Sequence, residues 1–455
     1  MATQLTTRVS DEEIRSFVQP SRVHRRVYAD ADVFDLEMER IFERTWVYAA
    51  HESEVAEVGD YVRARIGRRE VIVVRSDGDA IAGFFNRCPH RGSMICNVRR
   101  GHVSTFDCPY HGWSFARDGK LLGVPLPRGY PDDFDVEDPQ NSLEPVARIS
   151  SYRGFIFINL CADSPTLEDY IAPVRDSIDN IVDRAPDGGL MREGGEFRQI
   201  YYGNWKVHIE NTFDFIHGHF LHRSSWGAVK DWEHDVEPDD TPHMAQQMKA
   251  NGRSLNTWDD VGLCGFSGGH AYIGGFYNED KIAPERSDPT FTAYRKLLVE
   301  RHGEAKTAGI LKIDRFNTLV YPNLILNNRF QQIRQFEPVA VDQTLLRSFC
   351  FRLKGAPEEM LHSAVRFMMS QNSPASMISQ DDHEAFKNLQ TAVSPRDWNG
   401  RASDWMDISR GYGHETRRND GAVQGVGSSE VGIRNQLAAW SRYMTGELPR
   451  GAGAP

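Results

Sequence analysis

The chain has 455 residues, 40% hydrophobic and 26% charged, which excludes a disordered or fibrous chain and is too long for one compact core, so two domains or one large one are expected. Its net charge of −11, with no long basic run, argues against nucleic acid as a partner. No apolar stretch reaches bilayer length, the first residues carry no apolar signal core and six cysteines are sparse, so a cytoplasmic enzyme with no membrane partner is expected.

Ser10 followed by Glu13 is a capping box that opens a short helix. A second helix is expected from about Asp32, with Phe34, Met38, Ile41 and Phe42 as its apolar stripe. From Tyr61 the period becomes that of strands. Val71–Val74 and Ala80–Phe85 flank Ser76-Asp77-Gly78-Asp79, a hairpin turn, and Asp118-Gly119 marks another.

Between those hairpins lie Cys88-Pro-His90-Arg-Gly92 and Cys108-Pro-Tyr-His111-Gly112-Trp113, which read C-x-H, seventeen intervening residues, then C-x-x-H. Two thiolates and two imidazoles suit a [2Fe–2S] cluster whose second iron takes histidines, a Rieske centre. The same donor types can also hold a structural zinc tetrahedrally. The single residue within the first pair and the glycine after each histidine favour the cluster, carried on two turn-rich loops. Cys96, Cys161, Cys264 and Cys350 are expected to be buried thiols.

After about Pro165 the pattern is mixed. Leu167–Val182 reads as helix, Arg198–Val207, Leu319–Phe336 and Leu345–Leu353 as strands, and Glu358–Met369, His383–Gln390 and Ile433–Met444 as helices. The expectation is an α+β chain: N-terminal helices over 1–44 packing on the catalytic domain, an all-β domain over 45–165, an antiparallel sheet covered by helices over 166–449, and a disordered tail over 450–455.

The segment from Gly203 to His222 is dense in metal-capable groups. Asp214 and His217, at i,i+3, would share a helix face. His217 and His222 are about 140° apart on an ideal helix, so both reach one ion only if the helix widens, as at a π-bulge, or ends there. Spacing alone leaves open that these are surface or core histidines. Ser379-Gln-Asp381-Asp382-His-Glu384 supplies further carboxylates, or an acidic N-cap for the helix after it.

The C-P-H-R-G and C-P-Y-H-G-W motifs resemble the Rieske signature of the aromatic-ring-hydroxylating oxygenase large subunits. Ser93 and Tyr110 stand where respiratory Rieske proteins carry an extra disulfide. N-W-K, E-N, D-x-x-H and a histidine five further on resemble the same family's catalytic iron motif, matched by Trp205, Glu210, Asn211, Asp214, His217 and His222; Ile216 departs from a common tyrosine. The resemblance runs from Trp46 to the Asp382 segment.

It implies Cys88, His90, Cys108 and His111 as [2Fe–2S] ligands, and His217, His222 and Asp382, with Asp381 as fallback, as ligands of a mononuclear Fe(II). It implies Asp214 as an electron relay from His217 to the cluster histidine His111 of the next protomer, hence a homotrimeric core. It also implies a small (beta) subunit and a separate ferredoxin or reductase fed by NAD(P)H, in keeping with the absence of a G-x-G-x-x-G after any strand. His208, His219 and His383 are expected to be structural or to support the metal ligands without touching the metal.

The implied activity is cis-dihydroxylation of an aromatic substrate with O₂. YPNLILNNRFQQIR, residues 321–334, looks most like the benzoate, toluate, anthranilate and salicylate branch. Arg329 and Arg334 are candidates for a substrate carboxylate, or else lie on a solvent face; Asn211, Phe213, Phe215, Phe220 and Leu221 are candidates for the pocket, or else core. A Rieske monooxygenase of the same architecture, a salicylate-type hydroxylase or demethylase, and a pure electron-transfer Rieske protein are the competing readings.

Overall fold

The computed structural model describes residues 9–232, 243–277, 288–395 and 397–447; the expected tail at 450–455 lies outside them. The chain forms two compact units, Ile41–Glu168 and a larger one made of the segment up to Arg40 together with everything from Asp169 on. Among the described residues no helix is long and apolar enough to cross a membrane.

The smaller unit is built of short antiparallel strands. Ile81–Phe85, Arg69–Arg75, Asp60–Ile66 and Arg100–His102 form one sheet in that order. Arg148–Tyr152, Phe155–Asn159 and Val47–His51 form a second, and Leu121–Gly123, Ser114–Phe115 and Phe106–Asp107 a third. The expected hairpin turn is there: Val74 faces Ala82 across it, and Gly78 takes φ 79°, a conformation that costs glycine nothing. Tyr61, Ile72, Phe84, Phe106, Trp113 and Phe115 pack into one apolar core with Cys88, Cys96 and Cys108.

The larger unit holds a ten-stranded antiparallel sheet. Its path runs Leu190–Arg192, Gln343–Leu353, Gln332–Ala340, Leu324–Asn327, Arg315–Val320, Ala271–Phe276, Val261–Gly265, Val423–Val426 and Thr416–Arg417, with Phe197–Tyr201 also paired to Gln343–Leu353. Helices Trp205–Thr212, Glu358–Asn372, Met377–Val393 and Val431–Met444 pack in this unit.

Four expectations need correction. The strand expected over Arg198–Val207 is Phe197–Tyr201 followed by a helix from Trp205, because the Asn204 side chain accepts the Lys206 N–H and caps a new helix. The strand expected over Leu319–Phe336 is three strands, since the chain turns at Tyr321-Pro322-Asn323 and again at residues 328–331. Pro173 breaks the helix expected over Leu167–Val182 into Leu167–Ile171, a 3₁₀ turn and Arg175–Asp183. The helix expected from His383 begins six residues earlier at Met377, where Ser376 accepts the Ile378 and Ser379 N–H groups. Asp381 and Asp382 therefore lie inside a helix rather than capping one.

Candidate metal centres

The two cysteine–histidine loops are near copies of one another. Cys88 N–H donates to Ser93 O and Gly92 N–H to Cys88 O at 2.8 and 2.9 Å; Cys108 N–H donates to Trp113 O and Gly112 N–H to Cys108 O at the same distances. Each loop closes only because Gly92 (φ 76°) and Gly112 (φ 70°) adopt the left-handed region. Cys88 and Cys108 are buried, and burial, with the Cys108 sulfur alongside, pushes the Cys88 thiol up to about 11.

The His90 and His111 rings meet edge to face with centroids 4.7 Å apart, and His90 stacks on Trp113 at 5.0 Å and 6°. Trp113 is fixed in turn by donating to the Tyr130 hydroxyl at 2.9 Å. Nδ1 of both histidines is buried without a hydrogen-bond partner among the described residues. Orphaned ring nitrogens beside paired thiols are costly unless a metal takes them, so this donor set fits a [2Fe–2S] cluster with two sulfur and two imidazole ligands. Cys96 stands apart from it, held in the core with its N–H donated to Asn86 Oδ1.

In the larger unit, helix Trp205–Thr212 stops at Phe213 and a new one runs Ile216–Leu221. Asp214 lies in the turn between them, its Oδ1 accepting the Ile216 N–H at 2.9 Å, so it does not share a helix face with His217 as expected. His222 closes the second helix with φ −94° and ψ 26°. That ending, rather than a π-bulge, lets His217 and His222 converge.

Asp382 comes from helix Met377–Val393, whose Gln390 accepts the Asn204 N–H at 2.9 Å and so docks it against the Trp205 helix. Asp382 Oδ1 lies 3.3 Å from His222 Nε2 and 3.6 Å from His217 Nε2, and one ligand atom from each of the three residues lies within 4.8 Å of the others. Asn211 Nδ2 donates to the same Oδ1 at 3.0 Å. Burial works to raise the Asp382 pKa, but the His222 hydrogen bond and the adjacent rings outweigh it and hold the carboxyl below its usual value. Two imidazoles and one carboxylate converging from one side fit a divalent iron with open positions.

The fallback residue Asp381 faces the opposite nitrogen, with Oδ2 3.5 Å from His222 Nδ1. His217 Nδ1 is buried and has no hydrogen-bond partner among the described residues, so no hydrogen bond joins it to Asp214. His208 is buried against Phe336 and Phe386, and burial, with Arg334 nearby, drives its pKa well down, so it is neutral.

The two candidate arginines part company. Arg329 is paired with Asp314 at 2.7 Å and covers the Phe316 ring, whereas the hydrogen-bond partners of Arg334 among the described residues, His208, Thr212 and Asn317, are all neutral. Phe213 is buried core, Phe215 packs on Trp258 at 4.4 Å and Phe220 is 65% exposed. Two functional candidates carried no signal in the sequence: Arg410, bonded to Asp214 across 196 positions, and Asn317, bonded to Arg334.

The Rieske [2Fe-2S] domain family matches residues 45–139, and the catalytic domain of the ring hydroxylating alpha subunit matches 190–445. Toluate 1,2-dioxygenase subunit alpha of Pseudomonas putida is 33% identical over 422 residues, 92% of this chain and 86% of that protein. The anthranilate 1,2-dioxygenase large subunit of Acinetobacter baylyi is 31% identical over 404 residues, 86% of this chain and 80% of its own. Among solved structures, naphthalene 1,2-dioxygenase from Rhodococcus sp. bound to indole superposes with a TM-score of 0.77 at 26% identity, covering 97% of this chain and 100% of that one. An N-terminal Rieske [2Fe–2S] domain joined to an α+β non-heme iron catalytic domain, with aromatic-acid dioxygenase subunits as relatives, places the chain in the family of ring-hydroxylating dioxygenase alpha subunits.

Proposed function

We propose that this chain is the large subunit of a cytoplasmic multicomponent oxygenase that cis-dihydroxylates a benzoate-class aromatic acid. The observation that carries the reading is the convergence of His217, His222 and Asp382 within reach of one ion, in a chain that also pairs Cys88, Cys108, His90 and His111. We assign the two cysteine sulfurs to one cluster iron and Nδ1 of the two histidines to the other, and His217 Nε2, His222 Nε2 and the Asp382 carboxylate to Fe(II). When bound, these groups supply single-electron storage and O₂ activation.

The chain's own residues set the geometry. Trp113 and the twin glycine loops hold the cluster histidines rigid, Asn211 fixes the Asp382 carboxylate, and Asp381 orients the His222 ring through its far nitrogen. The net reaction consumes the arene, O₂, two electrons and two protons, and adds two hydroxyls across one ring double bond.

A separate reductase or ferredoxin supplies the electrons, since no dinucleotide fingerprint is present in the sequence. In a homotrimeric core, with a small subunit alongside, Asp214 would join His217 to the partner subunit's His111. The aromatic-acid class follows the toluate and anthranilate relatives.

The test is anaerobic purification followed by turnover of a panel of aromatic acids under ¹⁸O₂ with a borrowed reductase. Two labelled oxygens in a diol are expected. One labelled oxygen assigns a monooxygenase instead, and a colourless zinc protein with no oxygen uptake ends the proposal.

A further inference from the structure

Arg334 occupies the strand Gln332–Ala340, paired opposite Ile325 on one side and Ser348 on the other. Its Nη2 donates to Asn317 Oδ1, and its Nη1 has only long contacts, 3.4 Å to Thr212 Oγ1 and 3.5 Å to His208 Nε2. All three acceptors are neutral. Among the described residues no carboxylate lies within 4 Å of this guanidinium, while Arg315, Arg329 and Arg347 of the same unit are paired with Asp176, Asp314 and Glu337, each at 2.7 Å. Arg184, also without a carboxylate partner among the described residues, is satisfied differently: Asn180 and the Ile310 and Ile313 carbonyls accept its bonds.

A guanidinium has five N–H donors in a planar fork. Arg334 spends three of them, two on poor contacts. It is deep in the unit, where desolvation pulls its pKa down to about 10 against the opposing pull of Asp382. It nonetheless keeps accessible surface, as do Asn211, His217 and Asn317. Thr212, which Arg334 touches, follows Asn211, whose amide holds the ligand Asp382. Asp382 acts on this charge only from beyond contact distance, and a buried charge with no counter-charge in contact costs several kcal/mol, a cost that an anionic ligand would reduce.

We propose that Arg334 is the carboxylate anchor of the substrate site: it grips the aromatic acid through paired N–H···O bonds, with Asn317 fixing the guanidinium plane. This rests on the aromatic-acid reading above and adds the residue that distinguishes an acid from a neutral arene. Such a fork matches a carboxylate bidentately, and Arg329, engaged by Asp314, does not share the role.

The test is equilibrium dialysis of the iron-loaded, oxidised enzyme, without reductant, against labelled benzoate and labelled toluene. Arg334→Gln should weaken benzoate binding by roughly 10- to 150-fold, the scale of a charge-assisted hydrogen bond, and leave toluene within about threefold. Asn317→Asp is the second variant: it gives Arg334 an internal counter-charge while losing the Asn317 Nδ2 bond to the Thr212 carbonyl. It should stay folded, with a melting temperature near that of wild type, and abolish benzoate binding while leaving toluene bound. Benzoate binding unchanged in either variant, or both ligands lost equally, overturns the anchor. Wild-type enzyme that binds toluene but no benzoate overturns the aromatic-acid reading itself, a result seen before any variant is made.

Discussion

The Arg410 guanidinium holds the Asp214 carboxylate, with Nη2 3.2 Å from Oδ1, and is itself braced by Glu430 at 3.5 Å and the Ser428 carbonyl at 2.7 Å. Because Oδ1 also accepts the Ile216 N–H, the carboxylate is pinned through one oxygen. His217 Nδ1 has no hydrogen-bond partner among the described residues. If Asp214 carries electrons between protomers, Asp214→Asn should retain full iron and acid-labile sulfide yet lose at least about 100-fold in product formation, the upper range for groups supporting a metal ligand. Arg410→Gln should cost about tenfold, because the Ile216 bond survives. Normal turnover by Asp214→Asn, measured with a saturating reductase, would dismiss the relay.

Asp381 and Asp382 are adjacent in sequence and have opposite geometry. Asp382 faces Nε2 of both histidines, and Asp381 faces only Nδ1 of His222. Asp382→Ala should therefore drop iron from about three to about two per chain with the cluster spectrum unchanged. Asp381→Asn should keep the third iron and weaken its retention by about 10- to 100-fold, the cost of losing an orienting partner. Iron and sulfide analysis after dialysis against a mild chelator separates the two, and the reverse pattern would exchange their roles.

What the sequence revealed depended on how local each signal was. The Ser10–Glu13 capping box and the Asp77–Asp79 turn are complete within a few residues, and both stand as expected. The cluster loops are legible for the same reason: glycine at positive φ, proline and the ligands all lie within six residues. Asp214 was misplaced because i,i+3 spacing says nothing of where a helix stops, and the cap at Phe213 is set by tertiary packing. The Asp381–Asp382 pair reads as an N-cap by composition, yet Ser376 caps the helix earlier, which places both residues within it and buries Asp382. Arg410, Asn317 and the asymmetry between Arg329 and Arg334 rest on contacts between distant or separately folded segments, which no periodicity encodes.

Glu37 and Lys206 form a buried ion pair, 0% and 1% exposed at the side chain, with the Trp205 and Trp440 indoles donating to the two Glu37 oxygens at 2.8 and 2.7 Å. The pair ties the segment before Arg40 to the helix leading into the metal-capable loop. Lys206→Met would strand a carboxylate in the core and should destabilise this unit by about 3–5 kcal/mol. Glu37→Gln added to it removes the charge while keeping an acceptor for an indole, and should recover part of the loss. Urea denaturation followed by tryptophan fluorescence reads both, and equal stability of wild type and Lys206→Met would show the pair to be energetically neutral.

Glu210, on the same helix, is where pH should act on stability. Its Oε1 accepts the Tyr28 hydroxyl at 2.7 Å and the Gln436 amide at 3.1 Å. Burial nonetheless dominates, with Glu430 adding repulsion, and pushes the carboxyl up from 4.5 to about 7. Between those values the folded chain binds the proton that the unfolded chain releases. Stability from this group is therefore greatest below about pH 4.5, falls as pH rises to about 7 and stays reduced above it. A shift of this size corresponds to an upper bound of about 3 kcal/mol. Glu210→Gln keeps an oxygen for both donors and cannot ionise, so it should match wild type near pH 5 and melt a few degrees higher at pH 8.5. A difference that does not change with pH would mean that Glu210 acts through packing and not through its charge.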